Sequence, residues 1–325
     1  MDFHRFRSEF LRFPRARLAP WAGLATGLML SAGLTGCVVS AGEITFTFMG
    51  EQEVMAQQGG ERDGDGLGFE IHRLAGAEVY VLRVPAGSGL TVEPVVSDRL
   101  AKLPSFAADE RVVAVINGGF FDPKNGQTTS HVISNGEVLL DPRENLDLMG
   151  NATVASYMDQ ILNRSEFRRY VCDGGDRRYD ITFHNAPVPS GCDRLDALGA
   201  GPQLLPAMTH QQEAFWDVVD GTVRRNPIGM DSPNARSAIA ITASGDLLLV
   251  MVAQSSSSSG LTLAELADFL QARGTVQALN LDGGSSASLF YNQRTYYGRL
   301  DGDGVPVERS VKSVLVVRRA DGGGD

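Results

Sequence analysis

Three kinds of residue in this chain have the chemistry and placement to act on a substrate: carboxylates at strand ends, arginines beside them, and glycines that let backbone come close. The densest case is Ala278-Leu279-Asn280-Leu281-Asp282-Gly283-Gly284-Ser285-Ser286. An apolar run ends in a carboxylate, then two glycines, then hydroxyls. A charge at the end of a buried strand is costly unless it pairs or works, and paired glycines can present N–H groups to an anion. Asp282 is therefore the first candidate acid, base or nucleophile. Glu308-Arg309 supplies a second carboxylate and a guanidinium, and Asn234-Ala235-Arg236-Ser237 a further guanidinium. A guanidinium fork suits phosphate oxygens, which it meets in pairs. Arg236 and Arg309 are the candidate guanidinium groups for an anion, with the Gly283 and Gly284 N–H groups close by in sequence. Asn117-Gly118-Gly119, His131, Ser286 and Asn292 are the candidate hydrogen-bonding groups for a polar substrate.

The elements that must position these residues are mostly strands. Glu78 to Val84, Val112 to Ile116, Val132 to Leu140, Ser237 to Thr242, Leu247 to Val252, Val276 to Leu281, Ala287 to Tyr291 and Val311 to Val317 are short apolar or alternating runs between turn residues. The clearest helix is Leu263 to Arg273. Thr262 and Glu265 fit a capping box, Leu263, Leu266 and Leu270 form one apolar face, and Gly274 follows as a stop. Leu100 to Glu110, limited by Pro104, and part of 151–170 are weaker helical segments. Leu247–Val252, the helix and Val276–Leu281 read in order as a β-α-β crossover, whose strands would pair in parallel with Asp282 at a carboxyl end. The expected fold is strand-rich α/β: a central mixed sheet with flanking helices. Ser255 to Ser259, before Gly260, suits either a lid or a solvated linker.

The N-terminus reads as an export signal. Residues 1–17 are rich in arginine, Leu18 to Leu34 is apolar and small, and Leu34-Thr35-Gly36-Cys37 follows. The tetrad resembles a bacterial lipobox, which predicts signal residues 1–36, lipidation of Cys37, a tether over 37–68, a domain over 69–319 and a loose tail over 320–325. The implied location is the periplasmic side of a bacterial envelope, held to the membrane by lipid. In that setting Cys172 and Cys192 are expected to bridge; a metal site with His184 is the rival. Residues 1–36 carry five arginines against Asp2 and Glu9, so their removal moves the net charge from −10 to −13. Such an acidic chain, without a basic run, is a poor nucleic-acid binder.

Taken together, the motifs resemble the phosphodiester glycosidase family, which includes the mannose-6-phosphate uncovering enzyme and bacterial exopolysaccharide-associated proteins. The matching stretches are Asn-Gly-Gly-Phe-Phe at 117–121, Ile133-Ser134-Asn135-Gly136-Glu137-Val138, Leu198-Gly199-Ala200-Gly201-Pro202, Arg236-Ser237-Ala238-Ile239, Leu261 to Ala267, Asn280 to Ser286, and Glu308-Arg309-Ser310-Val311. They span roughly residues 80–319, around an unmatched insertion near 150–195. Ser285 replaces the family's usual third glycine, Ser310 often a proline, and Ser130-His131 a glycine–apolar pair. The resemblance implies hydrolysis of a sugar-1-phosphodiester at its glycosidic C–O bond, releasing free sugar and a phosphomonoester. On that resemblance Asp282 acts as nucleophile or base, with Glu308 as its partner or as the orienter of Arg236, and Arg236 and Arg309 bind the phosphate together with a nest of the Gly283 and Gly284 N–H groups.

Three other readings compete. A serine hydrolase lacks its Gly-x-Ser-x-Gly elbow around Ser285. A metal-dependent phosphodiesterase would lean on Asp301-Gly302-Asp303-Gly304, a stretch that stops short of a calcium loop and reads better as a tight turn. No cofactor is expected; a structural divalent cation is the exception this stretch would supply. A surface lipoprotein that binds glycan without cutting it is the reading from another class.

Overall fold

The computed structural model describes residues 63–257 and 259–320. The expected signal, Cys37 and most of the expected tether lie outside the described residues.

Three antiparallel sheets make the fold. The first holds β1 (Gly68–Leu74), β2 (Ala77–Val84), β14 (Leu247–Gln254), β13 (Arg236–Thr242), β15 (Thr275–Asn280) and β10 (Gln203–Leu205), in that spatial order. The second orders β17 (Arg294–Tyr297), β16 (Ser288–Tyr291), β4 (Val112–Asn117), β18 (Val311–Arg319) and β3 (Leu90–Ala101). The third orders β6 (Glu137–Leu140), β5 (Val132–Ser134), β9 (Cys192–Gly199), β7 (Ser165–Cys172) and β8 (Arg177–Phe183). A separate hairpin pairs β11 (Asp217–Val219) with β12 (Thr222–Arg225).

Strand periodicity explains the layering. In β13, Ile239 and Ile241 join a core shared by all three sheets, which also takes Ile116, Leu198, Leu249, Leu279 and Leu315. The alternate residues Ala238 and Ala240 face a second core, capped by Leu263, Leu266 and Leu270 of the helix Leu263–Gln271. Burial on both faces is why β13 and β14 read as continuous apolar runs. The helix begins as expected, with Thr262 and Glu265 forming a reciprocal capping box. Between Leu100 and Glu110 only a short 3-10 turn forms, at Leu103–Ala107.

The expected mixed sheet does not form: every ladder among the described strands is antiparallel. β14 and β15 do not pair in parallel, because β13 lies between them and is antiparallel to both. The reason is local. A tight turn through Gly245 folds β14 straight back onto β13, leaving β15 only the far edge of β13. Helices are few, and the sheets carry the fold.

The stretch near 150–195, expected as an unmatched insertion, contributes β7, β8 and the start of β9 to the third sheet. Cys172 and Cys192 lie opposite each other in the β7–β9 ladder and form a disulfide. Charge hid β7 from a periodicity reading: Glu166 and Arg168 are buried there against each other, and Arg169 against Asp196.

Candidate active site

Residues 281–287 carry the chain from β15 of the first sheet to β16 of the second, so Asp282 stands at a junction of two sheets. Its backbone is clamped on both sides. The Asp282 N–H donates to the Gly118 carbonyl at 3.0 Å, and its carbonyl accepts from Asn117 Nδ2 at 2.6 Å. Asn117 Oδ1 accepts in turn from Ser237 Oγ at 2.7 Å and from the Ser288 N–H at 3.1 Å. One fully buried amide thus ties β4, β13 and β16 to the Asp282 loop.

The expected role of Asn117 as a substrate contact is corrected by this arrangement, since every polar atom of its side chain is in use. Gly118 and Gly119 also lie behind the site rather than in it. A Cβ on Gly118 would fall 2.8 Å from the Ser313 carbonyl oxygen, and one on Gly119 would fall 2.2 Å from that of Gly199. Glycine is needed at both for close packing of backbone.

The Asp282 carboxylate is half-buried. Burial pushes its pKa up to about 6, against hydrogen bonds from Ser286 Oγ and the Gly283 N–H and the charge of Arg309. Desolvation outweighs the stabilising partners, a balance that suits a group acting near neutral pH. The proposed glycine nest is not available in this arrangement. The Gly283 N–H serves Asp282 itself, and the Gly284 N–H donates to the Ala235 carbonyl at 2.8 Å.

Arg309 is the guanidinium on hand. It lies 5.6 Å from the centre of the Phe121 ring and makes no hydrogen bond or ion pair among the described residues. Arg299, which the sequence reading missed, stands beside Gly284 of the loop. A Cβ on Gly284 would lie 4.0 Å from Arg299 Nη1 and 3.8 Å from Asn234 Nδ2. The Arg299 side chain is likewise without a hydrogen-bond or ion-pair partner among the described residues. Its backbone is anchored by Val307 N–H donating to the Arg299 carbonyl and Leu300 N–H donating to Gln254 Oε1. The usable signal was Gly298, where a Cβ would strike Ala287 and Ala235: a glycine demanded by close approach brings its neighbour to the site.

Arg236 is corrected. Its guanidinium is buried and donates to four backbone carbonyls, those of Leu261, Ile228, Gly229 and Ser232, at 2.6–3.0 Å. It pins the loop ahead of β13 and has little left for a phosphate. Glu308 is exposed and pairs with Lys102 Nζ at 2.7 Å, so it neither orients Arg236 nor closes on Asp282. Asn292 occupies the exposed β16–β17 turn, with φ +50°, at the end of β16 remote from the Asp282 loop. Its left-handed backbone is what the two-residue turn requires.

His131 is buried in the third sheet. Its ring stacks on His184 with centres 3.7 Å apart, and Nε2 is 3.2 Å from the Leu162 carbonyl. Burial, with the His184 charge, lowers its pKa to about 4. None of these contacts reaches the Asp282 loop.

Among the described residues no three His, Cys, Asp or Glu side chains gather to hold a metal ion. Asp301 Oδ1 accepts from the Asp303 and Val305 N–H groups at 2.9 Å, which makes this stretch a tight polar turn. Of the expected set, then, the structure brings together Asp282, Gly283, Gly284, Ser286 and Arg309, and adds Arg299 and Asn234. The arrangement places a carboxylate of raised pKa within reach of the Arg309 charge, with the Arg299 guanidinium beside Gly284 of the same loop. It suits an anionic substrate with a reacting centre beside its charge.

The sequence matches the phosphodiester glycosidase family over residues 110–318. No curated protein sequence matches it. Among solved structures, the fold is similar to the catalytic domain of zebrafish N-acetylglucosamine-1-phosphodiester alpha-N-acetylglucosaminidase, auto-inhibited by its pro-peptide. That likeness has a TM-score of 0.56 at 16% identity and covers 83% of each chain. A hypothetical protein from Synechocystis is similar at a TM-score of 0.52 and 18% identity, over 78% of this chain and 62% of that one. At these identities the likeness concerns the fold.

Proposed function

Because the chain belongs to the phosphodiester glycosidase family, we propose that it hydrolyses sugar-1-phosphodiesters at the glycosidic C–O bond, releasing free sugar and a phosphomonoester. The observation that carries this reading is the half-buried Asp282, its pKa raised to about 6, beside an Arg309 that has no hydrogen-bonding partner among the described residues. The bond between the anomeric carbon and the phosphate oxygen breaks with its electron pair leaving on the phosphate. That leaving group is stabilised by charge rather than by a proton, which is what Arg309 and Arg299 supply. The anomeric carbon, now oxocarbenium-like, takes an oxygen that ends as water-derived hydroxyl. Asp282 serves that carbon, either by taking the proton of the attacking water or by bonding to it first. Ser286 Oγ and the Gly283 N–H hold the carboxylate in place for this.

Export supports the same reading. The arginine-rich start, the apolar run and Leu34-Thr35-Gly36-Cys37 form a lipoprotein signal, and the Cys172–Cys192 disulfide belongs to an oxidising compartment. No helix among the described residues is long and apolar enough to cross a membrane. The proposed setting is the periplasmic side of the envelope, with phosphodiester-linked glycan as substrate and Cys37 lipid as anchor.

The test is a panel of α- and β-linked sugar-1-phosphodiesters in oxygen-18 water, with Asp282→Asn in parallel. Label in the sugar and loss of turnover in the variant are expected. Label in the phosphate would mean P–O cleavage and overturn the mechanism. No turnover of any diester by the wild-type protein, with glycan still bound, would favour a binding protein instead.

A further inference from the structure

We propose that Arg164 and Arg225 form a second anion-binding subsite, which takes a phosphate or carboxylate carried by the glycan beyond the bond that is cut. The placement beside the cleft rests on the phosphodiester glycosidase reading; the subsite itself rests on the following geometry.

Arg164 Nε donates to the Glu213 carbonyl at 3.1 Å, and Arg225 Nε donates to the next carbonyl, that of Ala214. Two guanidinium groups are therefore held side by side through their inner nitrogens. Their outer nitrogens make no hydrogen bond among the described residues. Aromatic rings back both: Arg164 Cζ lies 3.8 Å from the centre of Phe215, and Arg225 Cζ lies 5.1 Å from that of Tyr157. Stacking on the rings fixes the planes of the forks.

The neighbouring carboxylates make their hydrogen bonds elsewhere, although the Glu213 charge is felt by Arg164. Glu213 accepts from the Ser165 N–H at 2.9 Å, Ser165 Oγ at 2.8 Å, the Gln203 N–H at 3.0 Å and Thr209 Oγ1. Asp217 Oδ2 accepts the Tyr157 hydroxyl at 2.5 Å. Burial lowers the pKa of both arginines, that of Arg164 to about 9 against the opposing charge of Glu213 and with the Arg225 charge adding to the effect. Two like charges kept half-buried, with open outer nitrogens and one nearby carboxylate, Glu213, whose oxygens already serve Ser165, Gln203 and Thr209, gain from an anion that joins them.

The pair also has a definite relation to the cleft. Phe120 stacks with Phe215 at 5.6 Å and lies 5.9 Å from Arg164 Cζ, while the next residue, Phe121, carries Arg309. Adjacent residues of the chain thus contact Arg164 and Arg309, from two different cores. A substrate with a second acidic group along its chain can meet both.

Two measurements test this on the full chain. In the first, inorganic phosphate binding is followed by phosphorus NMR in Arg309→Gln, which weakens the cleft, and in Arg309→Gln combined with Arg164→Gln and Arg225→Gln. The first variant is expected to retain a phosphate site, and the second to lose about tenfold or more in affinity. Equal affinity in the two would overturn the subsite, and this arm does not depend on turnover.

In the second, kcat/KM is compared between a short sugar-1-phosphodiester and the same diester extended by either another phosphodiester or a uronic acid. The long-to-short ratio is expected to fall about tenfold or more in Arg164→Gln/Arg225→Gln, and the extension that shows it names the anion. An unchanged ratio with a general loss of activity would assign the two arginines to packing alone. Arg164→Lys/Arg225→Lys keeps the charge without the fork and should recover part of the ratio if the glutamine variant melts early. If no diester is cleaved, the catalytic reading fails while the phosphate titration still decides the subsite.

Discussion

Asn117 Nδ2 holds the main-chain carbonyl of Asp282 at 2.6 Å from a strand of another sheet, 165 residues away in the chain. The carboxylate that would act on substrate thus takes its position from a buried amide that never meets substrate. Asn117→Ala would leave the Asp282 carbonyl, Ser237 Oγ and the Ser288 N–H without this partner. A stability loss of about 2–4 kcal/mol is expected from such unpaired buried groups, measured by denaturant unfolding. Asn117→Asp keeps the acceptor and removes the donor, so kcat should fall more than KM changes.

Asp282 sets the pH dependence. With its pKa raised to about 6 by burial, turnover that needs the carboxylate should rise with pH and reach half its plateau near pH 6. The effect on stability has the opposite sign. The folded protein holds this proton more tightly than the unfolded chain does, so the stability that Asp282 contributes is fully present below about pH 4 and is lost as pH rises through about 6. Asp282→Asn should therefore melt higher than wild type at pH 7 to 8, with the gap closing toward pH 4. A wild-type melting temperature that climbed across that window relative to the variant would contradict the assignment.

Arg309 and Arg236 should separate by phenotype. Arg309→Gln removes an open guanidinium beside the carboxylate, so a fall of about 10²–10³ in kcat/KM at nearly unchanged stability is expected. Arg299→Gln should act in the same direction. Arg236→Gln instead strips hydrogen bonds from the Leu261, Ile228, Gly229 and Ser232 carbonyls and should unfold the protein more easily. Thermal melts beside steady-state rates distinguish the two outcomes.

The Cys172–Cys192 bridge closes a loop of sequence separation 20. Its loss in Cys172→Ser/Cys192→Ser is expected to cost about 3 kcal/mol in the chain-entropy description. Because it lies in the third sheet, the rate per folded molecule should change little. Activity normalised to the folded fraction tests this.

Much of the candidate site is legible in the sequence. The apolar run ending at Asp282, the helix capped by Thr262 and Glu265, and the pairing of Cys172 with Cys192 each follow from residues close in sequence or few in number. Such signals depend on local periodicity, local caps and cysteine counting, and the chain carries them openly. The strands were found for the same reason, but their partners were not. Whether β15 pairs with β14 or β13 depends on which edge a hairpin turn leaves free.

The roles of the arginines could be decided only in three dimensions. Arg236 looked like a phosphate ligand because its neighbours were right, yet its acceptors come from the 228–232 loop and from Leu261. Arg299 looked ordinary until Gly298 brought it against the Asp282 loop. Sequence alone determined that this chain carries a carboxylate at a strand end with arginines in the neighbouring motifs. Tertiary structure decided which of those arginines is spent on backbone carbonyls and which remains open, because hydrogen-bond capacity is used up by partners far away in the chain.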